Sequence, residues 1–280
     1  MATVEVSEEQ VRWFRARRLG LVDGYADPHE AARRILGAQA QVESCALHSL
    51  AQRVPANPTA DALNAVLEQD RTLVRSWGQR DTMHVYDVND WSTIISAQQL
   101  WPQSGRRLQS PSDAVIEAGL DYMLSVGEPV TREDLFHLIP DDYAQVWRDF
   151  LDTDDITARR NATGRIFWNL CRSGDTAAAG KRGSQQLYVA RTVWWPDLAW
   201  NPPDSEAANI ALARRYLAVS APASAADLAR FGLARQERAG GGADVEARPG
   251  LTEFVVALLD LRPRRAWGLI ERGSIRSRSL

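Results

Sequence analysis

The chain has 280 residues, 45% hydrophobic and 25% charged, an ordinary globular composition with ample apolar material for a core. A formal net charge of −3 gives the molecule as a whole no nucleic-acid signature, and no window approaches the ~20 apolar residues a membrane span needs. Two cysteines and four scattered histidines, without CxxC, HExxH or other ligand spacing, argue against a metal site.

The N-terminus "MATVEVSEEQ" lacks the basic-then-apolar order of a signal peptide, so a cytoplasmic location is expected. Ser7 followed by Gln10 is a capping box, and "EEQVRWFRARRLG" reads as an amphipathic helix ending at Gly20. "ADPHEAARRILG" starts with Asp27 as N-cap and Pro28 at the first helical position, and stops at Gly37. Ser44 is expected to begin a helix over "SCALHSLAQR", whose Cys45 reads as a buried small hydrophobe, and Pro58 to Gln69 is a further short helix. Two runs rich in strand formers, "TLVRSWG" and "TMHVYDV", meet around Gln79-Arg80-Asp81 as a hairpin. Three short helices followed by a hairpin is the order of a winged helix-turn-helix.

The order recurs. Glu128 to Ile139 opens a helix, Thr157 to Gly174 is a longer one, and a strand follows glycines 180 and 183. A third opening lies at Ala221 to Leu233. Pro129-Val130-Thr131-Arg132-Glu133-Asp134-Leu135 and Pro222-Ala223-Ser224-Ala225-Ala226-Asp227-Leu228 share a proline, a hydroxyl N-cap, an aspartate and a leucine directed at the core, which points to an internal repeat. The last 45 residues are Gly- and Arg-rich and lose periodicity beyond "TEFVVALLDL". The expected fold is therefore mainly α with short β-hairpins (α+β), in tandem winged helix-turn-helix units. Residues 1–125 form the first unit, 126–205 the second, and 206–280 the start of an incomplete or atypical third.

Such units bind DNA through a recognition helix and a wing. Charge is uneven enough to allow it: residues 141–155 hold six aspartates, while arginine pairs flank them. Candidate phosphate ligands are Arg159, Arg160 and Arg165 on the second unit's helix and Lys181 and Arg182 at its wing tip. The bland alternative is a solvated helix face. Lys181 is the single lysine beside 32 arginines, so amine nucleophile chemistry has one candidate.

"LGAQAQ", followed by "LVRSWGQRDTMHVY", resembles the AlkZ/YcaQ-type DNA glycosylases, tandem winged-helix proteins that excise alkylated bases and, in some members, unhook interstrand crosslinks. The resemblance rests on Gln39-Ala40-Gln41, matching a Gln-aliphatic-Gln motif, and on Arg75, Trp77, Arg80, Thr82 and His84, matching an R-x-W-x-x-R-G-T-x-H segment. The openings "PVTREDL" and "PASAADLARF" also look like the family's second and third units. Three features depart from the pattern. Asp81 replaces the usual glycine and puts a negative charge beside the expected DNA channel; Ala40 is smaller than the usual aliphatic; and the tail is short.

What the resemblance implies can be weighed against the residues themselves. In a helix, positions i and i+2 point about 200° apart; in an extended segment they point the same way. Gly37 and the Ser44 cap argue for an extended link carrying both amides on one side. Pattern alone slightly favours the alternative, two solvated glutamines in an Ala-rich helix running through Gly37. A glutamine cannot take a proton from water at neutral pH, but its carbonyl oxygen can orient one. A base alkylated at N3 or N7 is already cationic, so water positioning and stabilisation of an oxocarbenium-like sugar suffice. The expected activity is that of a monofunctional glycosylase on double-stranded DNA carrying alkylated bases, without cofactor, acting as a monomer. Gln39 and Gln41 would be catalytic, with His84 either contacting the abasic sugar or a phosphate, or simply a cross-strand partner. Arg75, Arg80 and Thr82 would contact DNA; Trp77 reads as core, and Lys181 as lying away from the glutamines. The competing reading is a winged-helix DNA-binding protein without catalysis, a regulator or a lesion-binding resistance protein.

Overall fold

The computed structural model describes residues 6–99, 111–137, 156–223, 227–228 and 231, with backbone alone at 136–137 and 156–162. The acidic run 141–155, Ser224 and the tail from residue 232 lie outside the described residues. The capping signals act as the chemistry requires. Ser7 and Gln10 exchange backbone and side-chain hydrogen bonds at the start of α1 (Glu8–Arg18), and Asp27 caps α2 (Pro28–Arg34). α2 ends in two left-handed residues, Leu36 (φ 62°) and Gly37 (φ 90°). A Cβ on Gly37 would lie 2.4 Å from the Tyr86 ring, so close packing as well as backbone conformation demands glycine there.

The chain then enters β1 (Ala38–Gln39), α3 (Glu43–Ala51), α4 (Ala60–Glu68, capped by Thr59) and the hairpin β2 (Leu73–Trp77) and β3 (Met83–Asp87). Helix, short strand, two helices and hairpin make a winged helix-turn-helix. α3 begins one residue earlier than expected: Val42, not Glu43 or Ser44, is its N-cap, and Val42 supplies no side-chain bond. Cys45 is exposed on this helix rather than buried.

After α5 (Trp91–Gln98), the second unit runs through α6 (Asp113–Val126), α7 (Arg132–His137), α8 (Ile156–Ser173), β4 (Thr176–Arg182) and β5 (Gln185–Ala190). Thr131 and Asp134 close a second reciprocal cap, at 3.1 and 2.8 Å, and Leu135 behind them is fully buried. Cys171 lies in this unit's core, where burial pushes its thiol up to about 12. α9 (Arg191–Trp194) and α10 (Ser205–Ser220) follow. Leu228, from the third repeat opening, is buried in the first unit's core beside Leu212.

The wings of both units join one antiparallel sheet, ordered β1-β3-β2-β4-β5 and bridged between units at Arg75↔Ala178. Period-2 alternation divides the strands of the first unit between two cores. Ala38, Ala40, Leu73, Met83 and Val85 pack on α2 and α3; Val74 and Tyr86 pack with Trp91, Ile94 and Leu212 of α5 and α10. Trp77 is half-buried between the first unit's core and the core of Val115, Phe167 and Tyr188 in the second. Burial on both sides of so short a strand ladder is what fixes its register.

Candidate active site

β1 is only two residues long, yet its register decides where the glutamines point. Ala38 pairs with Val85 and Gln39 with His84, and the Ala40 amide donates to Met83 O at 2.6 Å. Extended geometry through Ala40 therefore buries Ala38 and Ala40 and leaves Gln39 and Gln41 both exposed on the opposite side. The helical alternative is excluded by this pairing. Ala40, fully buried against Ala46 and Leu50, occupies a space that a larger aliphatic would have to reshape.

Each glutamine carbonyl meets a donor from the first wing. Gln39 Oε1 accepts from an Arg80 guanidinium nitrogen at 3.5 Å, and Gln41 Oε1 from the Met83 amide at 3.4 Å. Both contacts are at the long limit of hydrogen bonding, so they orient the amides while leaving lone pairs to exchange for water. Arg80 is exposed and sits at φ 58°, in a turn with Asp81 at φ 53°. Thr82 turns its hydroxyl onto Gln79 O at 3.0 Å.

His84 stands directly across from Gln39, the cross-strand partner expected as one of its two roles, and is 4% exposed. Its Nδ1 lies 3.0 Å from Thr82 O; a carbonyl only accepts, so Nδ1 carries the proton and Nε2 is an acceptor. Burial, with Arg80 nearby, pushes the imidazole down to about 4, despite the bond to Thr82. The ring is neutral at physiological pH and stacks on Tyr86 at 5.6 Å. It is no cation for a phosphate.

Three sequence expectations are corrected by the geometry. Arg75 was expected on phosphate, but it is buried and engaged within the protein. Its Nε and Nη2 donate to Ala40 O at 3.2 and 2.9 Å, and its Nη1 donates to Glu43 at 3.1 Å and to Gln186. Lys181 was expected away from the glutamines, but it lies 3.5 Å from Glu43, two residues past Gln41, because β4 joins the first unit's sheet. Asp81 was expected to place a negative charge beside the DNA channel. It turns inward instead, 2.8 Å from Arg172 of α8, with both side chains under a tenth exposed. Of the remaining candidates, Arg182 is exposed and paired with Asp134 at 2.8 Å, and Arg165 is half-buried on α8. Arg159 and Arg160 fall on α8, where their side chains lie outside the described residues.

Glu43, Gln186 and Arg172 were missed by sequence reasoning. Glu43 had one available signal, an acid in the first turn of a helix just after the motif. Gln186 and Arg172 had none, since each acts across more than 90 residues of chain.

The family model for AlkZ-like DNA glycosylases matches residues 32–276. The chain belongs to that family. Both motif segments, Gln39 to Gln41 and Arg75 to His84, fall inside the match. The fold is similar to that of the Streptomyces sahachiroi DNA glycosylase AlkZ, with a TM-score of 0.66 and 17% sequence identity; the match covers 92% of this chain and 66% of that one. The chain thus spans about two-thirds of that relative's length. No curated protein matches it.

Proposed function

We propose that the protein is a monofunctional DNA glycosylase that hydrolyses the N-glycosidic bond of cationic N3- or N7-alkylated purines in duplex DNA. The observation that carries this reading is the outward pairing of Gln39 and Gln41 across a buried Ala40, with a neutral acceptor imidazole beside Gln39. In the reaction the bond from C1′ to the base breaks with its electron pair moving to the base, which neutralises the base's positive charge. The sugar becomes oxocarbenium-like; water oriented by the two carbonyl oxygens adds at C1′ and loses its proton to solvent. Carbonyl dipoles facing the developing cation lower the barrier without any proton-accepting side chain. Arg80, Lys181 and Arg182 supply exposed positive charge for the phosphates around the lesion. The enzyme works as a monomer on DNA in the cytoplasm, and crosslinked purines, cationic in the same way, fall within its chemistry.

The test is excision from a duplex carrying one N7-methylguanine, read as strand cleavage in hot alkali, beside a duplex with one uracil. Cleavage at the cationic lesion and none at uracil is the expected result. Binding to both duplexes without cleavage of either would sink the reading and leave a non-catalytic DNA-binding protein.

A further inference from the structure

We infer that Arg75 is a positioning residue through which the wing of the second unit sets the Gln39–Gln41 segment for reaction; this rests on the glycosylase reading above. The Ala40 backbone is held at both of its polar groups. Its N–H donates to Met83 O, and its carbonyl accepts two bonds from the Arg75 guanidinium. A two-residue strand has too few ladder bonds to hold its own register, so the direction of the flanking side chains depends on this second grip.

The grip is itself held by the other unit. Gln186 of β5 donates through its amide nitrogen to Gly180 O at 2.6 Å and Leu187 O at 2.9 Å. That fixes its carbonyl oxygen on Arg75 Nη1. Glu43, the other partner of Nη1, is approached by Lys181 of β4. Both strands of the second wing thus converge on the groups that hold the middle residue of the glutamine pair. A buried guanidinium is a costly way to hold a strand for stability alone. Its planar fork matches a carbonyl, a carboxylate and an amide at once, which a single ammonium cannot reproduce.

The test uses Arg75→Lys and Gln186→Ala in the full chain. It measures three quantities: the single-turnover excision rate at saturating protein on the N7-methylguanine duplex, the Kd for that duplex, and hydrogen exchange at the Ala40 amide. For Arg75→Lys the expected result is a rate about a hundredfold lower, an unchanged Kd and faster exchange at Ala40; Gln186→Ala should show a smaller loss of the same kind. A weaker Kd with an unchanged saturating rate would make Arg75 a phosphate ligand and overturn the inference. Lower thermal stability with unchanged rate and exchange would make it a purely structural residue and overturn it as well. If the unaltered protein excises nothing, the glycosylase reading fails, and unchanged Ala40 exchange in both variants would separately overturn the positioning role.

Discussion

Each winged-helix unit pairs a short extended segment with the last strand of its own wing, just after a left-handed glycine, and the two units fill that slot in opposite ways. In the second unit, Gly127 leads to Val130, which bridges Tyr188, is 2% exposed and is followed at once by the Thr131 cap. In the first, Gly37 leads to Gln39 opposite His84, with both glutamines exposed and the next helix starting at Glu43 behind Val42, an N-cap without a side-chain bond. The second unit places an apolar contact and a capping box where the first places two amides. Local rules of stability are kept in one copy and broken in the other, and the broken copy is where chemistry is expected. The wings differ in the same sense. The first wing turns Arg75 and His84 inward, whereas the second presents Lys181 and Arg182 with about half of each side chain exposed.

The contrast can be broken at the contact that joins the units. Asp81→Gly restores the usual family residue and relieves a left-handed backbone, worth about 1 kcal/mol. It also strands Arg172, almost fully enclosed, without its carboxylate, which costs about 3–5 kcal/mol. Chemical denaturation should therefore show a net loss of about 2–4 kcal/mol; no loss would mean the two units are not coupled there.

The inward-turned wing can be tested by pH. Burial lowers the folded pKa of His84 from 6.5 to about 4, so between those values the unfolded chain binds a proton that the folded chain refuses. Its contribution is complete above pH 6.5 and falls by about 3 kcal/mol as pH drops towards 4. That slope should be missing from His84→Gln. The excision rate, for its part, should show no ionisation from this imidazole between pH 5.5 and 8.

Exchanging the slots sharpens the comparison further. Val130→Gln buries an amide in an apolar site and should destabilise by about 1–3 kcal/mol. Gln39→Val, at an exposed position, should change stability by less than about 0.5 kcal/mol while lowering the excision rate by about 10–10². Equal effects on stability would mean the two slots are not differently built.

What could be read from the sequence was local. The Ser7–Gln10 and Thr131–Asp134 boxes, the Asp27–Pro28 start and the hairpin around Arg80 are set by neighbours a few residues apart. β1 was not decidable from pattern, because two residues carry no periodicity and glutamine and alanine favour helix. The direction of Arg75, the approach of Lys181 to Glu43 and the Asp81–Arg172 pair depend on β4 meeting β2, about a hundred residues away. A long arginine side chain serves a solvated face, a phosphate or a buried carbonyl equally well, so its type alone never told which.

The most direct test of the account is the single-turnover excision rate of Gln39→Ala/Gln41→Ala at saturating protein on the N7-methylguanine duplex, measured with its Kd. The expected result is a rate lower by about 10²–10³ with binding unchanged, because in the proposed reaction the amides act on the transition state and the exposed cations hold the DNA. An unchanged saturating rate with weakened binding would contradict it, and would make the glutamines part of the DNA-contact surface instead of the water-positioning pair.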